Sequence, residues 1–240
     1  GSGGPQNGQN ARLWRIQQGD ALAVMRTMEA GSIDIVATDP PYDIAAYEGA
    51  TKVGNEYVTC APERWEAGEW DAKPPSEFLA WMADLMVEWQ RLLQENGSLL
   101  LWTDRVIFSH VWDIARSSGL RPMQMLGWRK TNAPVHPRGK FDSSLELCLW
   151  AVKGPRYVFN RPAEGQLPDV FEASLVSGAV RKKWPHPTQK SVAVCEHFLR
   201  VLSVPGYRML DSFSGSGAIL EAGLRCGLKV VGIDQDARYQ

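Results

Sequence analysis

The 240-residue sequence lacks any long run of uncharged residues: no stretch of 18 is free of Asp, Glu, Lys and Arg. We therefore expect no membrane-spanning helix. The opening Gly-Ser-Gly-Gly-Pro has neither a basic start nor an apolar run, so we predict no signal peptide and a cytoplasmic location. Cysteine is scarce, and its four copies form no Cys-x-x-Cys pair. This spacing favours reduced thiols, mostly in the core, and excludes a zinc knuckle or a disulfide framework.

The composition is that of one globular domain with a substantial core. Hydrophobic residues make up 44% and charged residues 22% of the chain, which excludes a disordered or collagen-like protein. The net charge of −1 hides an asymmetry, because residues 121–190 hold 12 Lys and Arg against five acids. That segment is typical of a polyanion-binding surface, and a solvated basic face is the alternative.

Short apolar runs alternate with longer helical ones, which predicts an α/β domain with a largely parallel sheet. Seven strands are predicted over residues 13–18, 33–38, 98–103, 123–128, 145–152, 208–213 and 229–234. Five helices are predicted over residues 21–28, 77–93, 106–116, 192–202 and 218–225.

Three stretches do not follow this pattern. Residues 1–11 are rich in Gly, Asn and Gln and are predicted to be a flexible tail. Residues 43–76 have no sustained period, and a loop of that length inside a domain usually carries function. Residues 153–184 are broken by Gly and Pro and end on a basic run, so we predict a small recognition insert there.

The segment Asp211-Ser-Phe-Ser-Gly-Ser-Gly217 follows an apolar strand and leads into a helix. Glycines let a ligand approach the backbone, and the helix N-terminus offers free N–H groups. Asp234 ends the next strand, close to where an acidic residue binds ribose hydroxyls in nucleotide-binding folds. The pattern predicts a nucleoside site, and a structural turn is the alternative.

The tetrapeptide Asp39-Pro40-Pro41-Tyr42 follows another strand. Its prolines fix φ and remove two N–H donors, so the carbonyls of Asp39 and Pro40 are rigidly placed acceptors. The Asp39 carboxylate and the Pro40 carbonyl can each accept one amino hydrogen of a nucleobase while Tyr42 stacks on its face. The motif predicts a site for a planar amine, and an ordinary turn is the alternative.

These two motifs, with His186-Pro-Thr-Gln-Lys190 between them, resemble the β-class amino-methyltransferases, S-adenosylmethionine-dependent enzymes that methylate exocyclic amines in DNA. Trp128-Arg-Lys-Thr-Asn132 with Pro134, followed by Glu146 on the next strand, resembles the later sheet region of the same family. The proline that usually follows the central motif is Ser191 here, which can still cap the helix after it.

The resemblance implies a Rossmann-like seven-stranded methyltransferase sheet with helices on both faces and a circularly permuted motif order. The catalytic half, residues 12–152, would precede the cofactor half, residues 185–240. The implied function is methyl transfer from S-adenosylmethionine to the N6 amine of a flipped-out adenine in DNA, in the manner of restriction-modification enzymes, without metal or membrane. Cytosine N4, RNA adenine and an inactive nucleic-acid-binding subunit stay open, as does a homodimer.

Carried over residue by residue, the resemblance assigns three groups of side chains. The catalytic group is Asp39, Pro40, Pro41 and Tyr42. The cofactor-binding group is Asp20, Ala21, Asp39, His186, Thr188, Lys190, Asp211, Phe213, Ser214, Gly215, Ser216, Gly217 and Asp234. The nucleic-acid group is Arg138, Lys140, Arg181, Lys182 and Lys183.

Within the cofactor group, Asp211, Gly215 and Gly217 would wrap the methionine portion and Asp234 would bind the ribose hydroxyls. Asp20 would accept from the adenine amino group, and Thr188 and Lys190 would hold the cofactor carboxylate. For Lys190, a solvated lysine at the start of a helix is the alternative.

The histidines at 110, 136 and 197 are not predicted to be catalytic, because no Ser or Cys nucleophile with a partnered base is visible. Most of the ten tryptophans fit helix and strand core positions. Trp65 and Trp70 lie in the long loop, where they either stack on DNA or pack the loop.

Overall fold

The computed structural model describes residues 14–41, 52–53, 56–57, 75–133, 143–175 and 190–236. The elements along this part of the chain are β1 (Trp14–Gln18), α1 (Ala21–Thr27), β2 (Ile33–Thr38), β3 (Lys52–Val53), β4 (Glu56–Tyr57), α2 (Pro75–Leu92), β5 (Leu93–Thr103), α3 (Phe108–Ser117), β6 (Arg121–Lys130), β7 (Leu145–Val152), β8 (Val170–Ala173), α4 (Val192–Leu202), β9 (Arg208–Asp211), α5 (Ala218–Arg225) and β10 (Lys229–Asp234).

The central sheet has the strand order β1-β10-β9-β2-β5-β7-β6-β8. Strands β1, β10, β9, β2 and β5 are parallel to one another, whereas β7 is antiparallel to both β5 and β6. The predicted largely parallel α/β sheet is confirmed. None of the helices in the described part of the chain is long and apolar enough to cross a membrane.

Alternate residues of the central strands build a core on each face of the sheet. Leu99 and Leu101 of β5 face the core formed with α1, α2 and α3, while Leu100 and Trp102 face the core formed with α4 and α5. This alternation follows from the two-residue period of a strand, and both faces are apolar because helices cover both. Cys148, Cys195 and Cys226 are buried free thiols, as predicted, and Cys60 lies outside the described residues.

Asp34 holds the amino ends of the three central strands together. It is buried on β2, and its carboxylate accepts hydrogen bonds from the backbone N–H of Arg208 at 2.7 Å and from the side chain of Gln94. Arg208 begins β9 and Gln94 lies near the start of β5. Because β2, β9 and β5 are parallel, this contact also fixes how their carboxyl ends line up at the opposite edge.

Two regions contain structure that the sequence did not predict. In the described part of the chain the sheet has eight strands and not seven, because β8 forms inside the predicted insert and pairs with β6, with Val170 opposite Gly127. The predicted loop 43–76 contains the short antiparallel pair β3–β4 and the start of α2. Residues 170–173 of the predicted insert are therefore an edge strand of the main sheet.

Several element ends differ from the predicted ones. β9 stops at Asp211 because residues 212–217 turn away from the strand. β5 begins at Leu93, and its first part is irregular, with Asn96 at φ 69° and a register shift against β2. Trp14 is 53% exposed because β1 is an edge strand, so it is not a core residue. Ser191 stands at the start of α4, but its side chain makes no capping hydrogen bond.

Candidate active site

The crevice between β9 and β2 is the switch point of the sheet. From β9 the chain runs through α5 to β10 on one side, and from β2 it runs through α2 to β5 on the other. Open α/β sheets bind ligands at the carboxyl ends of the strands at such a point. Asp211 ends β9 and Asp39 directly follows β2, so the topology brings the two sequence motifs together.

Thr38 joins the two motifs directly. Its hydroxyl donates a 2.8 Å hydrogen bond to Asp211 Oδ1 and lies 3.2 Å from the hydroxyl of Ser212. Helix α2 completes this network, because the indole N–H of Trp89 donates to Ser212 Oγ at 3.0 Å. All four side chains are buried, so the network holds the end of β2 in a fixed position against the end of β9.

Asp211 is fully buried and only partly satisfied. Its Oδ1 also accepts from the backbone N–H of Phe213 at 3.1 Å, whereas its Oδ2 has no hydrogen-bond partner in the described part of the chain. Burial is the main cause that raises the pKa of Asp211 to about 7, and the charges of Asp39 and Asp234 act in the same direction. A buried carboxylate oxygen without a partner fits a cationic group of a ligand.

The loop that follows Asp211 wraps around the end of β10. Ser214 N–H donates to the carbonyl of Ile233 at 2.9 Å, and Gly215 N–H donates to Asp234 Oδ2 at 2.6 Å. Gly217 starts α5 at φ 78°, a conformation that favours glycine, and a Cβ there would meet no atom within 4 Å. Within the described part of the chain, no side chain caps the start of α5.

The turn after β1 lies beside this loop. Gln18 pairs with Asp234, and the N–H of Gly19 donates to the Asp234 carbonyl at 2.9 Å. The Asp20 carboxylate caps α1 by accepting from the N–H of Ala23 at 2.9 Å. The predicted adenine-binding turn is thus next to the predicted ribose ligand, while the hydrogen bond from Asp20 to an adenine amino group stays a prediction.

These residues fit S-adenosylmethionine, which carries an ammonium, a carboxylate, a sulfonium and a ribose. The partnerless Asp211 oxygen suits the ammonium, and the uncapped start of α5 suits an anion or the approach of a ligand backbone. Asp234 is half-buried at the edge where a ribose would lie, although one of its oxygens already holds Gly215.

Asp39 belongs to a chain of four alternating charges that the sequence did not predict. Its Oδ2 lies 2.8 Å from the Lys190 ammonium, which lies 2.8 Å from Glu146 Oε2. The Lys130 ammonium contacts the other oxygen of Glu146 at 2.6 Å. These three residues and Asp39 come from four separate places in the sequence, so no local spacing revealed the chain.

Lys190 is buried, with only 5% of its side chain exposed, and this excludes a solvated lysine. Burial by itself lowers the pKa of Lys190, but the carboxylates of Asp39 and Glu146 outweigh that effect and raise the pKa above its ordinary value. Burial also acts to raise the pKa of Glu146, and the two ammonium groups overcome it and lower that pKa. Lys190 and Glu146 are therefore both charged at neutral pH. The predicted contact of Lys190 with the cofactor carboxylate stays a prediction.

Several predicted site residues lie outside the described residues: Tyr42, His186, Thr188, Arg138, Lys140, Arg181, Lys182 and Lys183. Of the remaining motif residues, Pro40 is buried and Pro41 half-buried beside Asp39. His110 is exposed on α3, and His197 stacks on Phe171 at 4.4 Å between ring centroids. His136, Trp65 and Trp70 also lie outside the described part.

Comparison with known proteins identifies the family. The model of the DNA methylase family, which comprises N6 and N4 methyltransferases, matches residues 33–240. The chain belongs to this family. It is a DNA methyltransferase, and the family takes its methyl group from S-adenosylmethionine, as the three motifs predicted.

Two curated relatives and two solved structures illustrate the likeness. The chain is 27% identical to the type II methyltransferase M2.DpnII of Streptococcus pneumoniae over 92% of this chain and 84% of the relative. It is 24% identical to M2.MboI of Moraxella bovis over 94% and 84%. Its fold matches the M1.HpyAVI–SAM complex with a TM-score of 0.65 at 22% identity, covering 94% and 95% of the two chains. It also matches the cytosine-N4-specific PvuII DNA methyltransferase with a TM-score of 0.72 at 15% identity, covering 94% and 83%.

Proposed function

We propose that this DNA methylase transfers a methyl group from S-adenosylmethionine to the N6 amine of an adenine flipped out of DNA. The observation that carries the proposal is the hydrogen bond between Thr38 and Asp211, which holds the amine-binding motif against the cofactor motif. The family supplies the reaction class. The choice of adenine rests on the resemblance of Asp39 and Tyr42 to the adenine-type motif.

The chemistry requires an amine whose lone pair is correctly aimed. A base amine is a weak nucleophile because its lone pair is delocalised into the ring. The Asp39 carboxylate and the Pro40 carbonyl accept its two hydrogens and so favour tetrahedral geometry at the nitrogen. When bound, S-adenosylmethionine supplies an electrophilic methyl group on a sulfonium. The amine loses its proton after the transfer, either to Asp39 or to water.

The surroundings of Asp39 support this role. Its side chain is 13% exposed, and the Lys190 ammonium fixes one of its oxygens at 2.8 Å. A carboxylate held in place before the substrate arrives does not have to be reorganised during the reaction, which is the main source of electrostatic catalysis.

Cytosine N4 is the second candidate. The two acceptors of Asp39 and Pro40 can bind the amine of either base. The fold match to a cytosine-N4-specific enzyme is compatible with this second candidate. Pocket shape around the flipped base decides between them, and Tyr42 belongs to that pocket by resemblance.

The test is Asp39→Ala, assayed for tritium transfer from labelled cofactor to DNA and for cofactor affinity by calorimetry. We expect transfer to be abolished while the cofactor dissociation constant changes by no more than a few fold, because the lost acceptor serves the target amine more than the cofactor. Asp113→Ala, at an exposed position on α3, is the matched control and should keep full activity. Turnover near the wild-type rate in Asp39→Ala would refute the assignment.

A further inference from the structure

The chain of ion pairs behind Asp39 points to a residue that acts without touching the substrate. We propose that Glu146 is a positioning residue for methyl transfer: it shares the Lys190 ammonium with Asp39 and so keeps Asp39 effectively anionic and in place. This inference rests on the proposed function, in which Asp39 binds the target amine.

The Lys190 ammonium stands between two carboxylates. It lies 2.8 Å from a carboxylate oxygen of Asp39 on one side and 2.8 Å from one of Glu146 on the other, and 5.4 Å from the centre of the Trp102 ring. Asp39 comes from the segment after β2 and Glu146 from β7, so the two side chains approach the ammonium from different parts of the sheet. Because the two distances are equal, the ammonium is shared between the two carboxylates and does not pair with Asp39 alone.

The charges explain why a second carboxylate matters for the reaction. Positive charge develops on the amine nitrogen as the new C–N bond forms, so a negative group beside it lowers the barrier. With Lys190 alone, the ion pair at Asp39 would be neutral overall, and its field at the amine would be weak. With Glu146 present, the Lys190 ammonium is shared between two carboxylates and neutralises Asp39 less completely, although Lys130 makes the four groups neutral overall. In a partly buried site the remaining field of Asp39 at the amine is poorly screened.

Lys130 completes the arrangement from the outside. Its ammonium lies 2.6 Å from the second oxygen of Glu146 and 5.6 Å from the centre of the Trp128 ring. It therefore fixes the orientation of the Glu146 carboxylate, and it is linked to Asp39 only through Glu146 and Lys190 in this chain of ion pairs. The effect of removing a charge should fall along the chain, and be larger at Glu146 than at Lys130.

The test compares kcat and KM across four variants. Glu146→Gln keeps the shape and removes the charge; we expect kcat to fall about 10- to 100-fold, with KM for cofactor and for DNA within about threefold of wild type. Glu146→Asp keeps the charge on a shorter side chain, so its kcat should lie between those of wild type and Glu146→Gln. Lys130→Gln should lower kcat by less than Glu146→Gln does. Glu172→Gln removes the acid of an exposed ion pair with Arg129 and should have no effect.

Cofactor affinity, measured on the same preparations, shows whether each variant is folded. Losing one partner of a buried ion pair is destabilising, so Glu146→Asp carries the test if Glu146→Gln does not fold. A kcat of Glu146→Gln within twofold of wild type overturns the inference. A loss of cofactor affinity in that variant that parallels its loss of kcat also overturns it. If Asp39→Ala is inactive and Glu146→Gln keeps wild-type activity, the proposed role of Glu146 fails and the proposed function stands. If Asp39→Ala is active, the proposed function fails, and the role of Glu146 fails with it.

Discussion

Asp211→Asn is expected to stabilise the cofactor-free protein at alkaline pH while weakening its affinity for the cofactor. Asparagine keeps an oxygen that can accept from the Thr38 hydroxyl and the Phe213 N–H. It removes the negative charge that the folded protein otherwise buries with one oxygen lacking a hydrogen bond in the described part of the chain. The substitution therefore separates the role of the charge from the role of the hydrogen bonds.

The magnitude follows from the pKa. Burial raises the pKa of Asp211 from 3.8 to about 7, and each pKa unit corresponds to about 1.4 kcal/mol, so ionising this group costs the folded protein up to about 4 kcal/mol. Between these two values the folded protein keeps a proton that the unfolded chain has lost. The stability contributed by this proton is complete below pH 3.8 and is lost as the pH rises through about 7.

The assay is urea unfolding of both proteins without cofactor, at about pH 5 and at about pH 8. The variant should gain stability relative to wild type as the pH rises, approaching a difference of up to ~4 kcal/mol, because asparagine has no proton to release. Asp113→Asn, on the exposed face of α3, should differ from wild type by less than about 0.5 kcal/mol at both pH values. Equal pH dependence of wild type and Asp211→Asn would show that burying the Asp211 charge does not cost the folded protein stability.

Two further predictions concern the ligands. Asp234→Ala should weaken cofactor binding by about 1–3 kcal/mol in a calorimetric titration, through the lost ribose contact and the loosened hold on Gly215, with little effect on DNA affinity; an unchanged dissociation constant would remove Asp234 from the site. Changing Arg181, Lys182 and Lys183 together to Ala should weaken binding to every DNA sequence and flatten the salt dependence by about 0.9 per lost phosphate contact, at most about 2.7; an unchanged slope would show a solvated surface.

The sequence predicted the central strands and the long helix well, because their periodicity is unambiguous. Phe78, Met82, Leu85, Met86 and Trp89 recur at helical spacing on α2, and all are buried. Strand β8 was missed because it has only four residues in a segment rich in Gly and Pro. Its pairing with β6 depends on tertiary structure and leaves no local sequence pattern. The start of β5 was missed because the helical apolar pattern runs on through Leu93.

Site residues that belong to one local motif could be predicted from the sequence. Contacts between residues of different motifs could not. The positions of Asp39, Asp211 and Asp234 at strand ends follow from the parallel order of the sheet. The ion pairs of Lys190 with Asp39 and Glu146 join residues far apart in the sequence, so local patterns carry no trace of them. For the same reason the sequence could not show that Thr38 links the two motifs.

The proposed function can be checked on the methylated base itself. DNA from cells expressing the wild-type chain or Asp39→Ala would be digested to nucleosides and analysed by mass spectrometry. The proposal predicts N6-methyladenine above background with the wild-type chain and none above background with Asp39→Ala. N4-methylcytosine in its place, or the same amount of N6-methyladenine with both proteins, would contradict it.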